Sequence, residues 1–343
     1  MEEQLKDFLN RILIESSPSG SEEQVTNLFK NFVSPFVDEV YIDANGNCIA
    51  HKKGIGPKVM LMAHADEVGL MISYIDKDGF LYFKEIGGID TNMLPSQRVW
   101  IHSAKGPLLG VIGRKPIHLQ DKSEGTRELN SEDLWIDLCV SNKAQALESV
   151  QIGDVATIIS EPVVMPNETI VSRALDDKVG LAVLAGVAQN LYNTKADVYF
   201  VASVQEELGA RGAQMVSEYV KPDIGIAIDV THATDYPTMN PIKDGDISLE
   251  KGAVIPLGPN MHKDVCRQLV SIAQENEIPV QIEAIAKPTG TDAREIQVSG
   301  CGIKTGLISI PCRYMHTPNE MVSLKDAESA IKLLTEYLKT SVN

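Results

Sequence analysis

Two adjacent glutamates, Glu206 and Glu207, follow the apolar run from Val198 to Val204 after a single Gln205. Carboxylates at the end of a buried strand need partners, because an unpaired buried charge costs several kcal/mol. Neighbouring strand residues point in different directions, so one glutamate can hold a cation while the other handles a proton. The same residue types recur past other apolar runs and at a helix start. His64 and Asp66 stand in His64-Ala65-Asp66-Glu67, and Asp176 in Arg173-Ala174-Leu175-Asp176-Asp177. Asp229 opens Asp229-Val230-Thr231-His232, and His316 closes Arg313-Tyr314-Met315-His316. Together these are two imidazoles and five carboxylates on independent segments. Mixed donors of this kind suit divalent ions such as Zn²⁺, Co²⁺ or Mn²⁺. Two ions about 3.5–4 Å apart need a bridging carboxylate and further ligands on each side, and the set covers that with one glutamate spare as a base. Singly, each motif is weak: a Glu-Glu pair is usually a solvated turn, and one histidine after a strand is usually not a ligand.

The elements that would position these residues follow from periodicity. Leu5, Phe8, Leu9, Ile12 and Leu13 predict a first amphipathic helix. Ser21 with Gln24 predicts a capped start for a second, carrying Val25, Leu28, Phe29, Phe32 and Val33. Short strands flank Asn45-Gly46, and residues 58–63 read as a buried strand ending at His64. From residue 71 to 164 helical periodicity nearly vanishes; strand-like pieces at 71–75, 80–83, 98–102, 108–112, 134–140 and 155–159 predict a β-rich insertion, with residues 116–130 as a polar loop. After Pro166 strands alternate with helices, which predicts a largely parallel sheet covered on both faces. The last helix carries Leu324, Ala327, Ile331, Leu334 and Leu338, with Ser323 and Asp326 as its predicted cap.

The 343 residues, 43% of them hydrophobic, suffice for a full core without disulfides. A net charge of −16 argues against nucleic acid and anionic membranes as partners. Five scattered cysteines with no Cys-x-x-Cys pair predict reduced thiols. With no signal-peptide pattern at the start and no run of transmembrane length, the expectation is a soluble cytoplasmic protein.

His64-Ala65-Asp66-Glu67-Val68-Gly69, Arg173 to Gly180, Val204-Gln205-Glu206-Glu207-Leu208-Gly209, Gly290-Thr291-Asp292-Ala293 and Ile310 to His316 together resemble the tetrahedral aminopeptidase family. That family contains glutamyl, leucyl and deblocking aminopeptidases, and some members carry an endoglucanase label. The resemblance covers essentially the whole chain, in order. It implies an α/β fold: a zinc-peptidase-like catalytic domain over 1–70 and 165–343, its mostly parallel mixed sheet flanked by helices. A small β-barrel-like domain is inserted at 71–164, through which similar enzymes dimerise and build a dodecamer. Two divalent ions per subunit are implied, Zn²⁺ or Co²⁺ ahead of Mn²⁺. Asp176 would bridge them, His64 and Asp229 would complete one site, and Glu207 and His316 the other. Glu206 would be the general base. Asp66 would accept the second ring N–H of His64 and set its tautomer. The Asp176–Asp177 peptide is cis in similar enzymes. The substrates implied are short peptides with a free N-terminus. Departures from the family pattern at 91–94, at 120–130 and at Cys301 and Cys312 bear on assembly and side-chain preference.

Two rival readings follow from the same residues, a glycoside hydrolase and a non-enzymatic metal-binding scaffold. His51, His102, His118 and His262 lie off the strand-end pattern and read as surface or structural residues, while His232 is a minor candidate for the pocket. Gly290-Thr291-Asp292 reads either as pocket wall or as a helix cap.

Overall fold

The structure, a computed structural model, describes residues 1–120 and 129–340, so most of the 120–130 loop lies outside the described residues. Helix α1 (Glu3–Ile14) buries Leu5, Phe8, Leu9, Ile12 and Leu13, the stripe its period predicts. Helix α2 (Glu23–Val33) starts two residues later than the predicted Ser21 cap. The buried Glu22 carboxylate is engaged elsewhere, accepting the N–H groups of Gly20 at 2.7 Å and Gln205 at 3.2 Å. Strands β1 (Glu39–Ile42) and β2 (Cys48–Lys52) form the expected hairpin, and β3 (Lys58–His64) follows.

Six strands then close a barrel: β4 (Gly69–Ile75), β5 (Leu81–Ile86), β6 (Arg98–Ser103), β7 (Gly106–Arg114), β8 (Leu134–Asp137) and β9 (Val155–Ile158), in the order β4-β5-β8-β7-β6-β9. A short helix α3 (Lys143–Leu147) precedes β9. Alternation along these strands sends Leu70, Ile72, Leu81, Val99, Ile101, Ile112, Leu134 and Ile136 inward to a core separate from that of the α/β body.

The chain then returns to the large sheet with β10 (Val163–Met165) and β11 (Thr169–Ser172). Helix α4 (Leu175–Asn190) leads to β12 (Asp197–Ser203), α5 (Arg211–Val220), β13 (Ile224–His232), a short α6 (Pro241–Asp244) and β14 (Ala253–Leu257). Helix α7 (Lys263–Glu275), β15 (Val280–Ala284), α8 (Asp292–Val298), β16 (Lys304–Arg313), β17 (Glu320–Ser323) and α9 (Leu324–Thr340) complete the fold. Eleven strands form one mixed sheet, ordered β1-β2-β12-β3-β13-β16-β17-β11-β10, with β14 and β15 branching from β16. Its centre, β12-β3-β13-β16, is parallel, and the outer pairs on that path are antiparallel. Periodicity did not reveal β10, β11, β14 or β17, which are three to five residues long. The Asp326 carboxylate accepts the N–H groups of Glu250 and Gly252 instead of capping α9.

Helix α4 is buried on every side from Leu175 to Ala188, between the sheet and helices α1 and α9. That explains why its sequence shows no polar face. Each fully buried Leu or Val there contributes about 1.5–3 kcal/mol, which anchors the α4 N-terminus where the candidate ligands sit. Among the described residues no helix is long and apolar enough to cross a membrane.

Candidate metal centre

Parallel pairing brings the acidic segments together. Ser203, the last residue of β12, lies opposite His64, the last residue of β3, so the two chains leave the sheet side by side. Strand β13 pairs with β3 only as far as Ala227 opposite Met62, and two residues further along that register Asp229 stands level with His64. Asp229 therefore lies inside a strand that runs on to His232, rather than just past the end of an apolar run. This is the carboxyl edge of a parallel sheet, where α/β folds collect ligands.

Asp176 stands at the middle of the group. One carboxylate oxygen is 3.0 Å from His64 Nε2 and the other is 3.3 Å from His316 Nε2. Glu207 Oε1 is 3.5 Å from the same His316 nitrogen. Two sets of donor atoms are tight enough to hold an ion: Asp176, Glu207 and His316, and His64, Asp177 and Asp229, the atoms in each set lying within 4.8 Å of one another. Asp177 joins them unexpectedly, since in the sequence it stood out only for the peptide bond before it, which is cis in the structure. Its Oδ1 accepts the Gly180 N–H at 3.1 Å, while its buried Oδ2 has no hydrogen-bond partner. A Cβ at Gly180 would stand 2.3 Å from that oxygen, so only glycine lets the carboxylate fold over the first turn of α4.

Carboxylates behind the candidate ligands hold their backbones. Asp66, fully buried, accepts the N–H groups of Glu206 at 3.0 Å and Glu207 at 3.1 Å and the Ser19 hydroxyl at 2.6 Å. The nearer acceptor for His64 Nδ1 is the Asp66 main-chain carbonyl at 3.1 Å, with the Asp66 carboxylate at 3.5 Å. A carbonyl can only accept, so Nδ1 carries a proton, and Nε2 is the nitrogen that would offer its lone pair to an ion beside Asp176. Glu320 does for the other half what Asp66 does for the glutamates. It accepts the Asp176 N–H at 3.0 Å and the His316 N–H at 2.8 Å. Behind Asp66 and Asp177, Glu67 is buried between Arg173 and Lys178, and those cations also bond the carbonyls of Ile14 and Glu15 at the end of α1. Left-handed backbone recurs at non-glycine residues of the ligand segments, at Ala174, Gln205 and His316 itself; each costs of order 1–3 kcal/mol.

Charge in the cluster is unbalanced. Burial and neighbouring carboxylates push Glu206 up to about 9 and Glu207 up to about 7. Burial, then Asp177 and Asp176, lifts Asp229 well above the carboxylate range. Asp176 is opposed by burial yet held below that range by the His316 and His64 rings. His316 rises to about 9, first through its bond to Asp176. Carboxylates crowded this closely, one with an orphaned buried oxygen, make a pocket that divalent cations would neutralise. The donor set, the paired spacing and the orphaned Asp177 oxygen therefore fit two such ions.

The remaining histidines are engaged elsewhere or lie outside both donor sets. His51 bonds Asp197 at 2.6 Å and stacks on Tyr199, His102 meets Thr157 at 2.9 Å, and His262 caps α7. His118 lies in the short turn Ile117–Leu119, and His232 is in neither donor set. Thr291 is the N-cap of α8, while Asp292 accepts the Ser203 hydroxyl at 2.5 Å and ties α8 to the end of β12.

The chain is similar to several known proteins. Residues 46–333 match the model of the M42 glutamyl aminopeptidase family. A lysyl aminopeptidase of Pyrococcus furiosus is 36% identical over 339 residues, 97% of this chain and 96% of that protein. The solved structure of an aminopeptidase from Desulfurococcus kamchatkensis superposes with a TM-score of 0.93 at 35% identity, covering 99% of this chain and 95% of that one. The Pyrococcus horikoshii TET1 peptidase, whose structure is described as assembling into a tetrahedron or a large octahedral shell, superposes at 0.87 with 30% identity, covering 98% and 99%.

Proposed function

The chain belongs to the M42 glutamyl aminopeptidase family, which makes it an aminopeptidase hydrolase, and we propose that it removes N-terminal residues from short peptides with two divalent ions and Glu206 as general base. The observation that carries this reading is Asp176, whose two oxygens each face one imidazole. His64 and Asp229 would hold one ion, Glu207 and His316 the other, with Asp176 between them and the Asp177 carboxylate beside the first. Zn²⁺ and Co²⁺ suit these donors best, then Mn²⁺. Two such ions would supply Lewis acidity and a water acidic enough to lose a proton near neutral pH.

The rest is done by the chain's own groups. Glu206, its backbone fixed by Asp66, takes the proton of the attacking water and hands it to the leaving amine. Asp66 and Glu320 hold the ligand backbones so that their carboxylates and rings need no reorganisation as charge develops. Exopeptidase action, on a free α-amine, rests on the likeness to aminopeptidases.

Chelation is expected to abolish peptide hydrolysis without unfolding the protein, and added Co²⁺, Zn²⁺ or Mn²⁺ to restore it. Hydrolysis at the full rate by ion-free protein, with ion content measured by mass spectrometry, would overturn the reading.

The insertion at 71–164 is proposed as the assembly domain of a cytoplasmic homo-oligomer built from dimers, up to a dodecamer. Trp100 and Leu109 face each other across β6 and β7 and are 40% and 50% exposed, an apolar patch that a second copy would cover. Wild-type protein should sediment as a particle many times the 37.4 kDa chain, and Trp100→Asp with Leu109→Asp as a smaller one. A wild-type monomer would refute this.

A further inference from the structure

His64 and His316 are oriented by different parts of the molecule. His64 Nδ1 is engaged by Asp66 of its own segment. His316 Nδ1 instead lies 2.6 Å from the carbonyl oxygen of Gly88, in the turn that follows β5 of the barrel. A carbonyl oxygen only accepts, so His316 Nδ1 carries a proton, and Nε2 is the nitrogen that faces Asp176 and Glu207 and would offer its lone pair to an ion held there. The residue before, Gly87, has φ +74°, and a Cβ there would stand 2.9 Å from Val68 Cγ1 and 3.1 Å from Glu207 Oε2. At Gly88 a Cβ would stand 3.4 Å from the His316 ring. The turn thus lies against Glu207 and His316 together, crowded at Gly87 and in ordinary contact at Gly88.

We infer that the Gly87–Gly88 turn of the inserted barrel is a positioning element of the metal centre: through the Gly88 carbonyl it sets the tautomer and ring orientation of His316, so the barrel completes the Asp176–Glu207–His316 half of the site. The inference rests on the two-ion reading above. Partners that orient a ligating imidazole typically change ion affinity 10–100-fold. A Cβ at Gly87 drives the turn off Val68 and Glu207 and carries the Gly88 carbonyl away from the ring. The His64–Asp177–Asp229 half is braced from within the α/β body, at Asp66 and Gly180, and should keep its ion.

The test compares full-length Gly87→Ala and Gly87→Val with Gly106→Ala. Gly106 lies in the same barrel at φ +109°, and a Cβ added there would meet nothing within 4 Å, so it reports backbone strain alone. Each protein is stripped of ions and titrated with Co²⁺ against a competing chelator, and tryptophan fluorescence follows Trp100 and Trp135, both in the barrel. Wild type and Gly106→Ala should bind two equivalents. Gly87→Ala should weaken one equivalent about 10–100-fold and Gly87→Val should lose it, with the other equivalent and the fluorescence unchanged. Two wild-type affinities in Gly87→Val would overturn the inference and leave the two-ion reading standing. So would equal weakening of both equivalents, the same loss in Gly106→Ala, or unfolding of both Gly87 variants while Gly106→Ala stays folded. A wild-type protein that binds no ion would remove the two-ion reading, and this inference with it.

Discussion

Glu206→Gln is expected to keep both ions and to lose about 10²–10⁴-fold or more in kcat. The substitution preserves shape and the backbone N–H bond to Asp66. It removes only the basic oxygen, and Glu206 belongs to neither donor set. Glu207→Gln should fail differently, because Glu207 shares a donor set with Asp176 and His316 and lies 3.5 Å from the His316 ring. One ion should be weakened and activity should partly recover at high ion concentration. Ion content and kcat measured on both variants decide between the roles. Equal ion loss in the two would reverse the assignment or abolish it.

The second large effect concerns the substrate. A peptide with a free N-terminus should be trimmed rapidly, its acetylated counterpart not at all, and carboxymethyl cellulose not at all. Glycoside hydrolysis typically needs two carboxyl groups about 5 Å or 6.5–9.5 Å apart, one of them protonated as general acid. Asp176, Asp177, Glu207 and Asp229 all belong to donor sets, and a carboxylate that holds a cation stays ionised and cannot donate a proton. Asp66 is committed to the N–H groups of Glu206 and Glu207, and Glu320 to those of Asp176 and His316. Asp292 is tied through the Ser203 hydroxyl to the end of β12, and of the carboxyls named Glu206 alone neither joins a donor set nor braces a backbone, which is one acid too few for a glycosidase and enough for peptide hydrolysis. Ion-dependent cellulose hydrolysis that disappears in Glu206→Gln, without peptide trimming, would reverse this conclusion and favour the rival reading.

Much of this was legible in the chain because strand ends and charge are local. A seven-residue apolar run followed by two glutamates marks the edge of a buried strand, and the recurrence of His, Asp and Glu at such edges identified the segments that meet. The barrel was legible because period-two alternation, broken by turns, needs no long-range information. Strands of three to five residues such as β10, β11 and β17 carry too few alternations to register, and long-range pairing rather than local pattern makes them strands. One cap partner misled for a related reason. Asp326 accepts the distant N–H groups of Glu250 and Gly252, because burial makes an unsatisfied donor costly, while Ser323 accepts the Lys325 N–H as a cap does.

By itself, then, the sequence determined which acidic and histidine-bearing segments come together, that helices and parallel strands would present them, and that a β-rich piece interrupts the α/β pattern. Tertiary structure alone decided how they divide. Parallel register put Asp229 level with His64 inside a strand, and the fold of the α4 start over Gly180 turned Asp177 toward them with an unpartnered oxygen. It also made Glu320 a brace for two ligand backbones and carried a barrel carbonyl, 228 residues away in the chain, to the ring of His316. Backbone N–H and C=O groups are common to every residue, so no pattern of side chains can announce which of them a distant carboxylate or imidazole will meet.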